Sequence, residues 1–454
     1  MSTRSVKKRL SLRRLVGGRG DAPSVDGFVP TLVTVIDLEE PLPTIDGAAI
    51  PGGQPYGAAQ LLVRQGGRPL GTLTAALPSG ALPAAELRTM IEQRWGHAVS
   101  RSEPVAAPEH GPFLLPSPAP RVSVVVPTFR RPDDIARCVE SILATDYPAL
   151  EILVVDNAPH DPATATLIAC RYAGDGRVRY LQEWLPGGSR ARNRGVRAST
   201  GEIVAFADDD IVVDRQWLAA LVAAFAANPD VSCVTGLVLP TALDMPVQLW
   251  FEQYGGFNRG YAQRMYDLRD HRGDTVLYPY TGGVFGGLGN AAFRRSVLKV
   301  PDAMDRTLGP GTPAFGAEDQ DIFLTLLGDG GTLLYEPAAL VRHRHRESYA
   351  ELRWQVFTYG AGYVAGLVNS AVQDRTVAVE LCRHIPAVIR FLVTARGHGE
   401  SPEVVDYACR RQLRRLERVG QAYGPIAYLR AVFHRRRLDS RASRAVAGDT
   451  LVLG

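Results

Sequence analysis

From residue 121 onward the chain alternates unbroken apolar runs with amphipathic ones. RVSVVVP (121–127) is a continuous β-branched run, as expected of a strand covered on both faces of a parallel sheet. Pro132 fits a first helical turn, and Ile135, Val139, Ile142 and Leu143 then form one apolar stripe at helical spacing. A second strand, EILVVD, ends at Asp156; a third, RVRYLQ, is followed by a glycine pair and a helical ARNRGVRAS segment. A fourth, GEIVAFADDD, runs into three carboxylates. Strand and helix alternate, which predicts an α/β fold: a doubly wound, mostly parallel sheet that takes ligands at the carboxyl ends of its strands.

The flanks differ from this middle. Upstream, FVPTLVTVIDLEEPLP and AAQLLVRQGGRPLGTLTAAL predict short strands joined by glycine turns, and ALPAAELRTMIEQRWG has helical spacing. The proline-rich stretch Ser102 to Pro120 suits a semi-rigid connector. Beyond Glu347 the chain becomes helical and arginine-rich, with Arg410, Arg414 and Arg418 on one helix face and Leu413, Leu416 and Val419 away from it. The expected organisation is a small β-rich N-terminal module with its linker (1–118), a catalytic domain (119–346) and a helical C-terminal extension (347–454).

Composition narrows the class. With 51 basic and 47 acidic residues, the net charge of +4 over 454 residues does not mark a nucleic-acid binder. Lysine occurs only at Lys7, Lys8 and Lys299, a bias that reads as a GC-rich, bacterial genome. The 5 cysteines are scattered without CxxC spacing, which argues against a disulfide framework or a zinc cluster and for a reducing compartment. The basic stretch Arg4 to Arg14 has no signal-peptide apolar core after it, and the apolar stretches Tyr359 to Val368 and Ile385 to Val393 are too short to span ~30 Å of hydrocarbon. A cytoplasmic protein is expected, with the inner face of the cell membrane as a second location.

Asp208, Asp209 and Asp210 carry the strongest chemical signal, because three adjacent carboxylates repel one another and a divalent cation is the usual reason to keep them. On an extended strand end Asp208 and Asp210 point the same way, and their oxygens suit Mg²⁺ or Mn²⁺ together with a diphosphate. A solvated acidic turn capping the helix near Arg215 reads the same way. Asp156 can accept from a nucleoside edge or close its strand with an Asx turn. Gly187, Gly188, Arg190, Arg192 and Asn193 offer amides and guanidinium forks at a helix start, a setting for phosphate or ribose, although Walker A spacing is absent. Glu318, Asp319 and Asp321 open an amphipathic helix, where acidic residues also complement the macrodipole. His343 and His345 share one side of an extended segment. Gly286, Gly287 and Gly289 let backbone approach a ligand or serve tight turns. Trp250, Phe251, Tyr254, Phe257 and Tyr261 read as core before sugar-stacking platforms.

Taken in order, VSVVVPTFRRPDDIARCVESIL, EILVVDN, GGSRARNRGVRASTGEIVAFADDD, GGLGNAAFRR and GAEDQDIFLTLL resemble the family 2 glycosyltransferases of GT-A fold, over roughly residues 121 to 346. The resemblance implies an inverting transfer from a nucleoside diphosphate sugar, UDP-linked for preference, to an acceptor hydroxyl. It implies Pro127, Thr128, Asp156, Gly188, Arg192, Asn193, Asp208 and Asp209 around the donor and Mn²⁺ or Mg²⁺ on Asp208, Asp210 and His343. Asp319 is then the catalytic base with Glu318 beside it, and Gly287, Gly289 and Asn290 stand on the acceptor side. The acceptor is expected to be a glycan, a lipid-linked sugar or a small molecule, and the C-terminal arginines to offer a face for anionic headgroups. A sugar-phosphate nucleotidyltransferase needs a glycine-rich loop after the first strand, which PTFRRPDD lacks; a non-catalytic nucleotide-sugar-binding protein would have no need of every acidic cluster.

Overall fold

The computed structural model describes residues 28–48, 54–96, 113–275, 277–387, 390 and 407–451. The basic stretch Arg4 to Arg14, most of the proline-rich connector and the end of the Ile385 to Val393 stretch lie outside them.

The N-terminal part is a three-stranded sheet with a helix. β1 (Thr31–Asp37) runs parallel to β3 (Ala58–Gln65), which pairs antiparallel with β4 (Arg68–Ala76); β2 (Ile45–Asp46) and β5 (Ala81–Leu82) form a small second sheet, and α1 (Ala84–Trp95) covers the core with Leu87 and Ile91. This unit leans on the larger sheet through Leu62, which packs with Leu237, Leu239 and Leu340, and through the buried Arg64, which bonds Asp37 and lies 3.0 Å from Asp214.

The central sheet is the doubly wound one that the apolar runs predict. Its parallel half is β6 (Val122–Thr128), β7 (Leu150–Asp156), β8 (Val178–Gln182) and β9 (Ile203–Ala207), joined by α2 (Pro132–Leu143), α3 (Ala163–Tyr172) and α4 (Gly188–Ala198). Every residue of β7 is buried, as a strand covered on both faces requires. Ile135, Val139 and Ile142 of α2 are fully buried, so the stripe read from spacing is the face that packs. The second half adds β10 (Ile211–Val213), α5 (Trp217–Ala227), β11 (Val231–Pro240), α6 (Pro246–Tyr254), β12 (Arg264–Tyr266), β13 (Asn290–Arg294), α7 (Glu318–Gly328) and β14 (Thr332–His343). Strand order is β10-β14-β11-β13-β9-β6-β7-β8, with β12 on β14 and β13 antiparallel to both its neighbours. Trp250, Phe251 and Tyr254 are buried in a core that α6 shares with the C-terminal helices, in keeping with the reading of that aromatic segment as core.

α8 (Tyr349–Gln373), α9 (Arg375–Arg383) and α10 (Tyr407–Leu451) follow. α8 and α10 cross at backbone contact: a Cβ on Gly360 would stand 2.2 Å from the Glu417 carbonyl oxygen, and one on Gly420 2.1 Å from that of Phe357. The trio Leu413, Leu416 and Val419 does not act as one face, because Leu413 is buried against α6 and α8 whereas Val419 is 56% exposed. Periodicity locates stripes on a helix but not the neighbour that covers one of them. No described helix is long and apolar enough to cross a membrane. Because the atoms opposing Gly420 are backbone, Gly420→Ala should cost about 1–3 kcal/mol, read from denaturant midpoints. An unchanged midpoint would show that the crossing tolerates separation.

Candidate active site

The carboxyl ends of β6, β7 and β9 bring the acidic segments to one edge. Asp208–Asp210 form a turn between β9 and β10, not a continuation of the strand, so the alternation expected of Asp208 and Asp210 on extended backbone does not apply. The three carboxylates diverge. Asp209 is buried and accepts from the Thr128 hydroxyl at 2.8 Å; Asp208 accepts from Arg192 at 2.6 Å; Asp210 accepts from Arg131 at 2.9 Å and faces His343 Nε2 at 3.4 Å. Arg131 also donates to Asp209 at 3.1 Å, tying α2 to the turn. Burial, with the Asp210 charge beside it, pushes Asp209 up to about 6. Burial acts on Asp210 in the same sense, but His343, Arg346 and Arg131 outweigh it and hold Asp210 well below the ordinary carboxylate range.

Arg192 joins this turn to the second acidic segment. Its side chain, 5% exposed, donates through one nitrogen to Asp208 and through the other to Glu318 at 3.0 Å. Glu318 and Asp319 begin α7, after Ala317 in the left-handed region at φ 71°. Burial raises both carboxyls above their usual range, against the pull of Arg192. Of the two, Glu318 is buried and committed to Arg192. Asp319 is half-buried, with one oxygen on the Gln320 amide at 2.8 Å. The glycine loop runs between the clusters: a Cβ on Gly289 would stand 2.6 Å from an Asp208 oxygen, and one on Gly287 3.8 Å from an Asp319 oxygen. Tyr359 of α8 is pushed up to about 12, by burial first; the Asp319 and Asp210 charges add to this and Arg346 opposes it.

Other expected ligands face inward. Asn290 is 1% exposed and spends its amide on Trp217 Nε1, the Leu237 carbonyl and the Ala339 carbonyl; it supports the glycine loop from beneath and does not face an acceptor. Asn193 is wholly buried and holds the Met304 backbone at 2.8 and 2.9 Å. The Gly188 amide donates to the Pro310 carbonyl and the Gly187 amide to Asn157 Oδ1, so these two amides are spent within the protein. Asp156, 1% exposed, forms the Asx turn with the Ala158 amide at 2.8 Å and accepts from the Tyr180 hydroxyl at 2.7 Å; Pro127 lies beside Thr128, which pairs in register with Asp156.

Residues 123–300 match the model of the family described as glycosyl transferase family 2. That stretch of the chain is similar to this family. A glucosyl-dolichyl phosphate glucuronosyltransferase of Haloferax volcanii is similar to it at 26% identity over 54% of this chain and 75% of that protein. Glycosyltransferase AglE of the same organism is similar at 32% identity over 23% of this chain and 35% of that protein. The solved mannosyltransferase PcManGT from Pyrobaculum calidifontis, in complex with GDP-Man and Mn²⁺, aligns over 74% of this chain and 93% of that one, at 18% identity and a TM-score of 0.45.

The donor set for a cation at these strand ends is narrower than the expected Asp208, Asp210 and His343. No described group of three or more Asp, Glu, His or Cys is gathered for a metal, and Asp208 is drawn to Arg192. Asp210 and His343 remain as a facing pair, and two side chains completed by phosphate oxygens and water fit Mg²⁺ or Mn²⁺. A relay outside the reach of sequence reasoning sets the imidazole. His345 Nε2 lies 2.7 Å from a Glu252 carboxylate oxygen, and its Nδ1 lies 3.3 Å from His343 Nδ1. Burial lowers His345 and favours its neutral form, so with Nε2–H donating to Glu252 its Nδ1 is an acceptor. His343 Nδ1 is thereby turned toward His345, and Nε2 is the atom that faces Asp210. Phe257 stacks edge-on against His343 at 4.9 Å and closes the other side.

Sequence reasoning also passed over Arg131 and Tyr359, and three aromatic rings that follow consecutive strand ends: Phe129 after β6, His160 after β7 and Trp184 after β8. Phe129 is 52% and Trp184 54% exposed, and His160 meets Trp184 edge-on at 4.9 Å. Their regular place after each apolar run was the available signal. Glu252→Gln should weaken Mn²⁺ binding about 10–100-fold in calorimetry, because it loosens the carboxylate contact that holds the His345 ring against His343. Equal affinity in the variant would remove the relay from metal binding.

Proposed function

We propose that this protein transfers a sugar from a nucleoside diphosphate sugar, with UDP as the first nucleotide to test, to an acceptor hydroxyl with inversion at the anomeric carbon. One observation carries the reading: buried Arg192 holds the Asp208 turn and the Glu318–Asp319 helix start on one cleft, leaving Asp319 as the half-buried carboxylate beside the glycine loop.

An inverting displacement needs a carboxylate that takes the acceptor proton as the acceptor oxygen attacks, opposite the departing diphosphate. Asp319 fills that role. Glu318, held on Arg192, fixes its position, while burial and the Asp208 charge keep its proton affinity high. Gly287 and Gly289 line the acceptor's approach between Asp319 and Asp208; at Gly289 a Cβ would meet the Asp208 carboxylate at 2.6 Å. Asp210 and His343 would hold Mg²⁺ or Mn²⁺, which would supply positive charge against the leaving diphosphate. Arg131 and Arg346 supply fixed positive charge beside it. The exposed rings Phe129 and Trp184, which follow β6 and β8, are offered to the nucleoside, with Asp156 and Thr128 ordering the strand ends. The lipid-linked substrate named for the Haloferax volcanii relative supports a lipid-linked sugar as acceptor here.

Asp319→Asn should leave nucleotide affinity near the parent value and lower kcat by roughly 10²–10⁴-fold. Asp210→Ala should instead weaken metal-dependent nucleotide binding, measured by titration of UDP with and without Mn²⁺. Turnover by Asp319→Asn equal to the parent would remove the base assignment.

The pH dependence follows from burial. Asp319 acts in its ionised form and its folded pKa is raised, so activity is lost as pH falls through that raised value. The acid limb of kcat/KM should therefore stand above the ordinary carboxylate value of about 4. A limb at or below 4 contradicts a buried base.

A further inference from the structure

The long helix α10 carries an exposed apolar face that nothing in the catalytic reading uses. Val419, Ile426, Leu429 and Phe433 are 56, 52, 57 and 62% exposed, and Ala422 is exposed between them. Their spacing of 3, 4, 3 and 4 residues places all five within one narrow strip. The opposite side of the helix, Gly420, Gly424, Ala427, Tyr428 and Ala431, is the side buried by the protein, so the strip points outward. At 1.5 Å per residue it extends about 20 Å.

Arginines bracket the strip at both ends. Arg411, Arg415 and Arg418 precede it and Arg436, Arg437 and Arg441 follow it, all exposed, and on a helical projection all six lie on the strip or at its flanks. Only two acidic residues lie between 409 and 441. Glu417 accepts from the buried Tyr254 hydroxyl and feels the charges of Arg414 and Arg418, and Asp439 pairs with Arg190, so the arginines remain in large excess along this helix. A second copy of this helix would set arginines against arginines, which disfavours a paired coil. An anionic bilayer surface supplies what the face lacks: an apolar layer for Val419 to Phe433 and negative headgroups for the arginines.

We propose that the outer face of α10 is a docking surface for anionic phospholipid bilayers, on which the helix lies flat with Val419, Ile426, Leu429 and Phe433 in the headgroup–acyl boundary. The surface stands independently of the transferase reading, because vesicle binding is measured without donor or acceptor.

The full chain should co-sediment with vesicles of phosphatidylglycerol and phosphatidylcholine and bind pure phosphatidylcholine vesicles at least about tenfold more weakly, with binding falling as salt rises. Ile426→Ser combined with Phe433→Ser, and separately Arg436→Glu combined with Arg437→Glu, should each lower the vesicle partition coefficient about tenfold or more. These side chains are exposed, so folding is retained, and the comparison of lipid compositions needs no variant. Equal binding to both vesicle types, no binding to either, or a dimer that the serine variant converts to monomer in light scattering would each overturn the proposal.

Discussion

The cleft depends on one buried guanidinium. An unpaired charge in the position of Arg192 would cost several kcal/mol, so its folded state is defined by the two carboxylates that surround it. Those partners lie 16 and 126 residues away along the chain, one on the turn after β9 and one on the first residue of α7. The pairing sets the distance between a strand end and a helix start, and with it the width of the space that donor and acceptor must share. Glu318 and Asp319 are consecutive, so anchoring the first on Arg192 also aims the second.

Backbone without side chains makes this closeness possible. Gly289 passes an Asp208 oxygen at a separation that admits no Cβ, and Gly309 does the same with the Ser189 hydroxyl beneath Glu318. Below them Asn290 and Asn193 spend their amides on backbone carbonyls and, for Asn193, a backbone amide. The polar residues of the site therefore fall into two layers. Arg192, Asp208, Asp210, Asp319 and His343 face the cleft or one another, and the asparagines hold the loops that carry them.

Much of this arrangement was legible in the chain. Continuous apolar runs at β6, β7 and β9 announced a sheet covered on both faces, and the stripe on α2 named the residues that pack. Which acidic segments share a strand edge also followed from the order of elements. What could not be read was orientation within a turn: three consecutive aspartates look equivalent until backbone geometry sends one to Thr128, one to Arg192 and one to His343. Asn290 and Gly188 looked like ligands because amides and glycines serve binding sites and scaffolds with the same chemistry. The Glu252–His345–His343 relay joins α6 to the residues after β14, and no local pattern connects segments so far apart. On α10 helical period showed stripes, but only packing against α8 decided which stripe remained outside.

The claim that organises the site is that Asp210 and His343 hold a cation whose remaining ligands come from a nucleoside diphosphate. Anomalous diffraction from crystals soaked with Mn²⁺ and UDP tests it most directly. A single manganese peak bridging the Asp210 carboxylate, His343 Nε2 and the diphosphate is the expected result. A peak away from both residues, or ordered UDP in the cleft with no manganese beside it, would contradict it.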